Sequence, residues 1–173
     1  AADGRHLQAR RSCQELALQL GEEDPLCCDL AMLCNQIGEF ELAEQLEPAA
    51  RLDADPIALS LWYQQQQQVE PQRLAFRQFS RQGLRCYEEA DFAGAAKYYE
   101  QALLWAPHNS STQLNLLQSV LQCISQDMPI VSVTPAEIIR RIQLQPLVGA
   151  QQERLQMLQR QYGDLTASGK LAG

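Results

Sequence analysis

Apolar residues recur along this chain at intervals of three and four, the spacing of one helix face. In residues 5–20, Leu7, Cys13, Leu16, Ala17 and Leu20 fall near one stripe, and Gly21 ends the segment. Asp24-Pro25 supplies an N-cap with Pro at the first helical position; Leu26, Cys27, Leu30, Ala31, Leu33 and Cys34 carry the next helix to Gly38. After the turn Gly38-Glu39-Phe40, a third helix holds Leu42, Ala43, Leu46 and Ala50, with a kink or early break expected at Pro48. A further helix, residues 57–70, packs through Leu59, Leu61, Trp62 and Tyr63, ends in the solvated run Gln64 to Gln68, and breaks at Glu70-Pro71. Asn109 or Ser110 caps a helix with the stripe Leu114, Leu117, Leu121 and Ile124. A loop from Asp127 to Val133 leads to Thr134-Pro135-Ala136-Glu137, which combines an N-cap, a first-position Pro and the Glu of a capping box. The last helix, residues 149–162, has Leu155, Leu158 and Tyr162 on one stripe; Gly163 stops it, and residues 163–173 read as a flexible tail. The β-prone Ile130 to Val133 is short and flanked by Pro, so no strand is expected.

Two stretches copy one another. Phe40 matches Phe92, Ala43 matches Ala95 and Ala50 matches Ala102, at a separation of 52 residues. The earlier copy is degenerate: Cys27 stands where Phe79 stands, and Glu47 where Tyr99 stands. A third copy begins with residues 110–126, but its second helix does not follow in register, because Pro129 falls where the small Ala belongs.

Within residues 79–107, Phe79, Gly83, Ala95, Tyr99, Ala102 and Pro107 take the bulky, small, small, aromatic, small and Pro positions of a repeating helix pair. This stretch resembles the tetratricopeptide repeat (TPR) family. Gln82 departs from the usual Leu and Cys86 from the usual Tyr. The resemblance covers roughly residues 24–126. It implies an all-α fold: a short, irregular, right-handed α-solenoid of TPR-like helix pairs closed by a capping helix. The expected order is one domain over residues 1–162, with a degenerate repeat at 24–56, an inserted helix at 57–70, the best repeat at 76–109, a partial repeat at 110–142 and a cap at 149–162. More loosely, the arrangement resembles the C-terminal TPR region of bacterial response regulators that carry an N-terminal receiver. That likeness implies an output module of a two-component signalling protein.

Composition narrows the chemistry. With 46% hydrophobic and 20% charged residues, the 173-residue chain is expected to fold. Its net charge of −7 lacks the basic face that phosphate attraction needs, so nucleic acid is not an expected partner. No apolar stretch approaches the roughly 20 residues of a membrane span. The six cysteines fall in helical segments without paired zinc spacing and read as reduced packing residues, which suits the cytoplasm; oxidised cysteines would instead indicate the periplasm.

The catalytic search is negative. The sequence contains no Gly-rich phosphate loop, no GxSxG and no HExxH, and His6 and His108 stand alone. Glu22-Glu23 and Glu88-Glu89 lie in solvated turns or helix ends, without the apolar surroundings that separate two carboxyl pKa values. No enzymatic activity, cofactor or metal is expected. Binding is the better destination. The TPR resemblance places the first helix of each pair along a concave groove, which puts Arg77, Arg81, Leu84, Tyr87 and Glu88 there from one helix and Ser111, Asn115, Gln118 and Gln122 from the next. Arg77 and Arg81 are four apart and share a face. Two guanidinium groups near the Asn115 amide suit an acidic peptide or a carboxylate, and Asn115 can both donate to and accept from a peptide backbone. A protein or peptide partner in that groove is the leading expectation. Self-association through exposed helices around Trp62, and a regulatory role beside an enzyme elsewhere in a longer chain, are the alternatives.

Overall fold

The computed structural model describes residues 2–20, 24, 26–53, 56–129, 133–145, 147 and 149–170. Among them every regular element is a helix: α1 Ala2–Gln19, α2 Leu26–Gln36, α3 Phe40–Asp53, α4 Pro56–Glu88, α5 Phe92–Trp105, α6 Ser110–Ser125, α7 Pro135–Gln143 and α8 Gly149–Ala167. The all-α expectation therefore holds. The expectations for Gly21, Glu22-Glu23, Pro25 and residues 130–132 lie outside the described residues, as do those for the side chains of His6, Leu7, Pro48, Ala50 and Leu59. Where one domain over residues 1–162 is expected, the chain gathers into two compact units, Ala1–Leu74 and Ala75–Gly173.

One turn recurs four times among the described residues: it ends α8 at Gly169 (φ 76°), where Gly169 N–H reaches Thr166 at 3.1 Å and Lys170 N–H reaches Leu165 at 3.2 Å, and its other three copies share a cysteine. At Gly38, Ala90 and Asp127 the backbone enters the left-handed region, with φ of 77°, 61° and 55°. In each case the next residue's N–H reaches back to a cysteine carbonyl: Glu39 to Cys34, Asp91 to Cys86 and Met128 to Cys123, each at 2.8 Å. The left-handed residue itself donates to Asn35 (3.2 Å), Tyr87 (3.1 Å) or Ile124 (3.1 Å). This pair of bonds satisfies carbonyls that a helix end leaves without partners. The first two turns sit at the 52-residue separation seen in the sequence, and both feed directly into a helix. The Glu39 carbonyl accepts from Ala43 N–H and the Asp91 carbonyl from Ala95 N–H, each at 2.9 Å. Asp91 adds a side-chain cap, its Oδ1 accepting from Gly94 N–H at 2.9 Å.

The third turn diverges for a local reason. Met128 has no side-chain acceptor for the new helix, and Pro129 follows it. The next helix among the described residues begins after Thr134, whose Oγ1 accepts from Glu137 N–H at 3.4 Å. The expected capping box is incomplete: the Glu137 carboxylate turns forward to Arg140 and Arg141 instead, with Nε–O separations of 3.0 Å to each. Those two hydrogen bonds hold the Glu137 carboxyl down at about 2.

In the first unit α1 packs on α2, and α2 on α3. The core is rich in thiols: Cys13, Cys27, Cys28 and Cys34 are buried with Leu30, Ala31, Ala43, Leu46 and Trp62. All six cysteines are free thiols; five are buried and Cys86 is half-buried. Burial pushes the Cys13, Cys27, Cys34, Cys86 and Cys123 thiols above their ordinary range. Trp62 is only 2% exposed, so it supports the core and cannot serve an outer association surface. Its neighbours Leu61 and Tyr63, expected to pack, are exposed. Gln65 is not solvated throughout, because its Nε2 donates to the Met32 carbonyl at 3.1 Å. Leu16 is also exposed; on α1 the buried residue beside Cys13 is Arg10, whose Nε lies 2.6 Å from Glu39 Oε1. Burial pushes Glu39 up and Arg10 down, and each opposes the other's shift.

The break expected at Glu70-Pro71 is absent, and of the kink or early break expected at Pro48 the early break is absent. α3 continues through Pro48 to Asp53, and α4 through Pro71 to Glu88. A proline inside a helix removes one amide donor, here leaving the Gln67 carbonyl without its usual partner. Pro71 and Gln67 are both exposed, where water can take that carbonyl. Arg73 braces the same turn. It is 3% exposed, and its guanidinium donates to Gln66 Oε1 at 2.6 Å and Glu44 Oε1 at 2.7 Å, with Glu47 and Glu70 each 3.8 Å away.

In the second unit α6 is central, packing on α5, α7 and α8. Leu114, Leu117, Leu121 and Ile124 of α6 are buried against Ile138 and Ile142 of α7, Leu155 and Leu158 of α8, and Ala95 and Tyr99 of α5. Gly83, Ala95, Tyr99 and Ala102 are buried as their small and aromatic positions require; Phe79 is half-buried and Pro107 exposed. Asn109 is the cap of α6, accepting from Thr112 N–H at 2.8 Å. α8 does not stop at Gly163 but runs to Ala167, so the expected flexible tail is ordered through residue 170. Lys170 Nζ donates to the Ser125 carbonyl at 2.6 Å and to Asp127 Oδ2 at 3.2 Å. A cation there complements the exposed carbonyls at the end of α6.

Candidate functional site

The residues expected to line a groove fall on α4 and α6 of the second unit. On α6, Ser111, Asn115, Gln118 and Gln122 form one half-buried stripe, while Leu114, Leu117 and Leu121 point to the core. On α4, Arg77 and Tyr87 are half-buried, and Arg81, Leu84 and Glu88 are exposed. Both stripes follow from helical spacing, which separates apolar from polar positions on one cylinder.

A third helix completes the site. Arg154 of α8 directs one nitrogen, Nη2, to Asn115 Oδ1 at 2.8 Å and also to Gln118 Oε1. Gln118 in turn donates from Nε2 to the Tyr87 hydroxyl at 2.7 Å. The chain Tyr87–Gln118–Arg154–Asn115 thus links α4, α6 and α8. One turn earlier on α6, Gln151 Nε2 donates to Ser111 Oγ at 3.1 Å. Tyr87 is held by its ring, which meets Phe92 edge-on with centroids 5.1 Å apart. Burial pushes the nearby Tyr99 phenol up, and the Arg154 charge opposes that shift.

Arg154 is the charged member of this bonded set. Its nearest polar partners are amide oxygens, and no carboxylate pairs with it among the described residues. Its Nε and Nη1 make no hydrogen bond and are not sealed from solvent. Asn115 Oδ1 accepts from Arg154, which leaves the second lone pair of that oxygen and its amide hydrogens able to pair with a ligand. Tyr87 accepts from Gln118 and keeps its own O–H to donate. The structure brings Tyr87, Asn115 and Gln118 into one bonded set, and places Arg81, Leu84 and Glu88 exposed along α4. Sequence reading missed Arg154 because it sits among the Gln and charged residues of a helix read as a polar end cap.

Among the described residues, no three His, Cys, Asp or Glu side chains converge as a metal site, and no helix is long and apolar enough to cross a membrane. His108 is half-buried in the turn before α6. No family model matches the chain, and no curated protein or solved structure matches it significantly.

Proposed function

We propose that the chain is a non-enzymatic interaction module of TPR-like helix pairs that holds a protein or peptide partner along the polar face of α4, α6 and α8. The observation that carries this reading is the half-buried bonded set Tyr87–Gln118–Arg154–Asn115. It preorganises amide, hydroxyl and guanidinium groups on three helices whose opposite faces are committed to the core. Preorganised side chains lose less entropy when a ligand arrives. In a longer protein this module would act as the output part of a bacterial signalling chain in the cytoplasm, or regulate an enzyme borne by that chain. Affinity capture from a bacterial lysate, with bound proteins identified by mass spectrometry, tests the reading. A specific partner should be weakened by about 1–2 kcal/mol in Arg81→Ala and in Asn115→Ala, but not in the exposed control Arg160→Ala. Equal retention of every partner by all three variants removes the groove assignment.

A second reading, self-association, draws on the exposed apolar side chains Ile57, Leu61 and Tyr63 of α4 rather than on Trp62. Light scattering over a range of concentrations decides it; a strict monomer eliminates it.

A further inference from the structure

We infer that Cys13 and Cys34 are a redox-active pair, which a small disulfide oxidant joins in a bond that ties α1 to α2. The pair belongs to the first unit and is independent of the partner face carried by the second. Both residues are 0% exposed and sit in one core. Their side chains share a hydrogen bond, Cys34 donating and Cys13 accepting. Thiols in that contact can reach disulfide geometry by local rotation, without the backbone movement that separated cysteines require. Helix geometry excludes the other thiols of this core as partners for Cys34. Cys27 and Cys28 lie on α2 with it. At roughly 1.5 Å per residue they are about 10 and 9 Å away along the axis, beyond the roughly 7 Å that a disulfide spans between Cα atoms. Cys13 arrives from a different helix and meets Cys34 directly.

A sealed thiol is inert until the packing over it opens. Here α1 is the cover, and it is lightly held. Among its described side chains only Arg10 and Cys13 are buried, while Leu16 and Leu18 are exposed. Arg10 lies 2.6 Å from Glu39, but a buried ion pair returns little net stability once both charges have left water. Elements with few buried apolar side chains open first. When α1 lifts, both thiols meet solvent. Burial raises both thiols in the closed form; their shared hydrogen bond offsets part of that rise at Cys13 and adds to it at Cys34, which leaves Cys13 nearer to ionising. With oxidised glutathione as the oxidant, the Cys13 thiolate attacks one of its sulfurs and expels a glutathione thiolate. The Cys34 thiolate then attacks Cys13 Sγ in the mixed disulfide and expels the second glutathione thiolate. The two protons lost by the cysteines end on the two glutathione thiols, and α1 is locked against α2.

The test treats the full chain with oxidised glutathione and maps its peptides without reductant. Cys13 joined to Cys34 should be the main cross-link, and dithiothreitol should reverse it. In the oxidised chain the α1 amides should exchange with solvent about tenfold or more slowly, because local opening is blocked. Cys34→Ser should stop at a single glutathione on Cys13. Glu39→Gln removes the carboxylate from Arg10 and should speed cross-linking about tenfold or more. A main cross-link through any other cysteine, or one between two chains, overturns the pairing. So does retention of all six thiols at an oxidant concentration that consumes them once the chain is unfolded in urea. A Glu39→Gln rate equal to wild type overturns α1 opening as the route. The wild-type mapping decides the pairing even if a variant fails to fold.

Discussion

Gly83 offers a sharp test of the packing in the second unit. A β-carbon at Gly83 would lie 2.7 Å from Cε1 of Tyr99, 2.9 Å from Cδ1 and 3.0 Å from Cζ. Optimal carbon–carbon contact lies at about 3.5–4.0 Å, so the methyl meets a ring face nearly an ångström too early. The ring has little freedom to yield, because Tyr99 is 2% exposed and packed in the same core as Ala95 and Leu117. Two effects then compete in Gly83→Ala. Alanine favours the helix over glycine by about 1 kcal/mol. Overpacking a filled core costs about 1–3 kcal/mol. The net expectation is a loss of about 0–2 kcal/mol, where propensity alone requires a gain. Gly163 provides the control: it is also helical, it is exposed, and a β-carbon there would meet nothing within 4 Å. Gly163→Ala should gain about 0.5–1 kcal/mol. Because the propensity contribution is common to both, the gap between them isolates the Tyr99 contact at about 1–3 kcal/mol. Urea denaturation followed by circular dichroism measures each difference from the midpoint and slope. Repeating Gly83→Ala in a Tyr99→Leu background should shrink its cost, since the ring is gone. If Gly83→Ala and Gly163→Ala stabilise the chain equally, Gly83 does not lie against Tyr99 and the packing argument fails.

Arg73→Met should destabilise the first unit by about 2–4 kcal/mol, because Glu44, Glu47 and Glu70 lose their shared cation; partial exposure of these acids keeps the cost below that of a fully buried pair. An unchanged urea midpoint refutes the brace. Ala90→Gly should stabilise by roughly 0.5 kcal/mol, since relief of a left-handed alanine outweighs the added entropy of the unfolded chain. A loss in the same assay shows that Ala90 does not occupy that conformation.

Local signals are readable from the residues wherever the physics is local. Asp24 reads as a cap, and its Oδ1 accepts from Leu26 N–H at 2.9 Å. Asn109 and Thr134 cap their helices, and the 52-residue copy reappears as two turns with the same hydrogen bonds. Expectations fail where a distant partner outweighs a local rule. Pro71 marks a break by propensity, yet Arg73 spans that turn to Gln66 and to Glu44 of another helix. Gly163 marks a stop, but Tyr162 and Leu165 pack on the core on either side of it and carry the helix onward. Trp62 reads either as a packing residue or as the centre of an association surface, and its burial is decided by Cys13 and Cys34, which come from elements 28 or more residues away.

The candidate site divides along the same line. Helical spacing alone determines that Ser111, Asn115, Gln118 and Gln122 share one face, and that Arg77, Arg81, Leu84 and Glu88 share another. It also determines the helical class, since alternation of apolar and polar positions at that period is the main drive for burying one side of each element. Only the tertiary structure decides that α8 lies against α6, because that depends on how the Leu155 and Leu158 surface fits Leu117 and Leu121. That packing brings Arg154 to two amide oxygens almost forty residues away. A single arginine among glutamines has no pattern to read; its role comes from what the fold sets beside it.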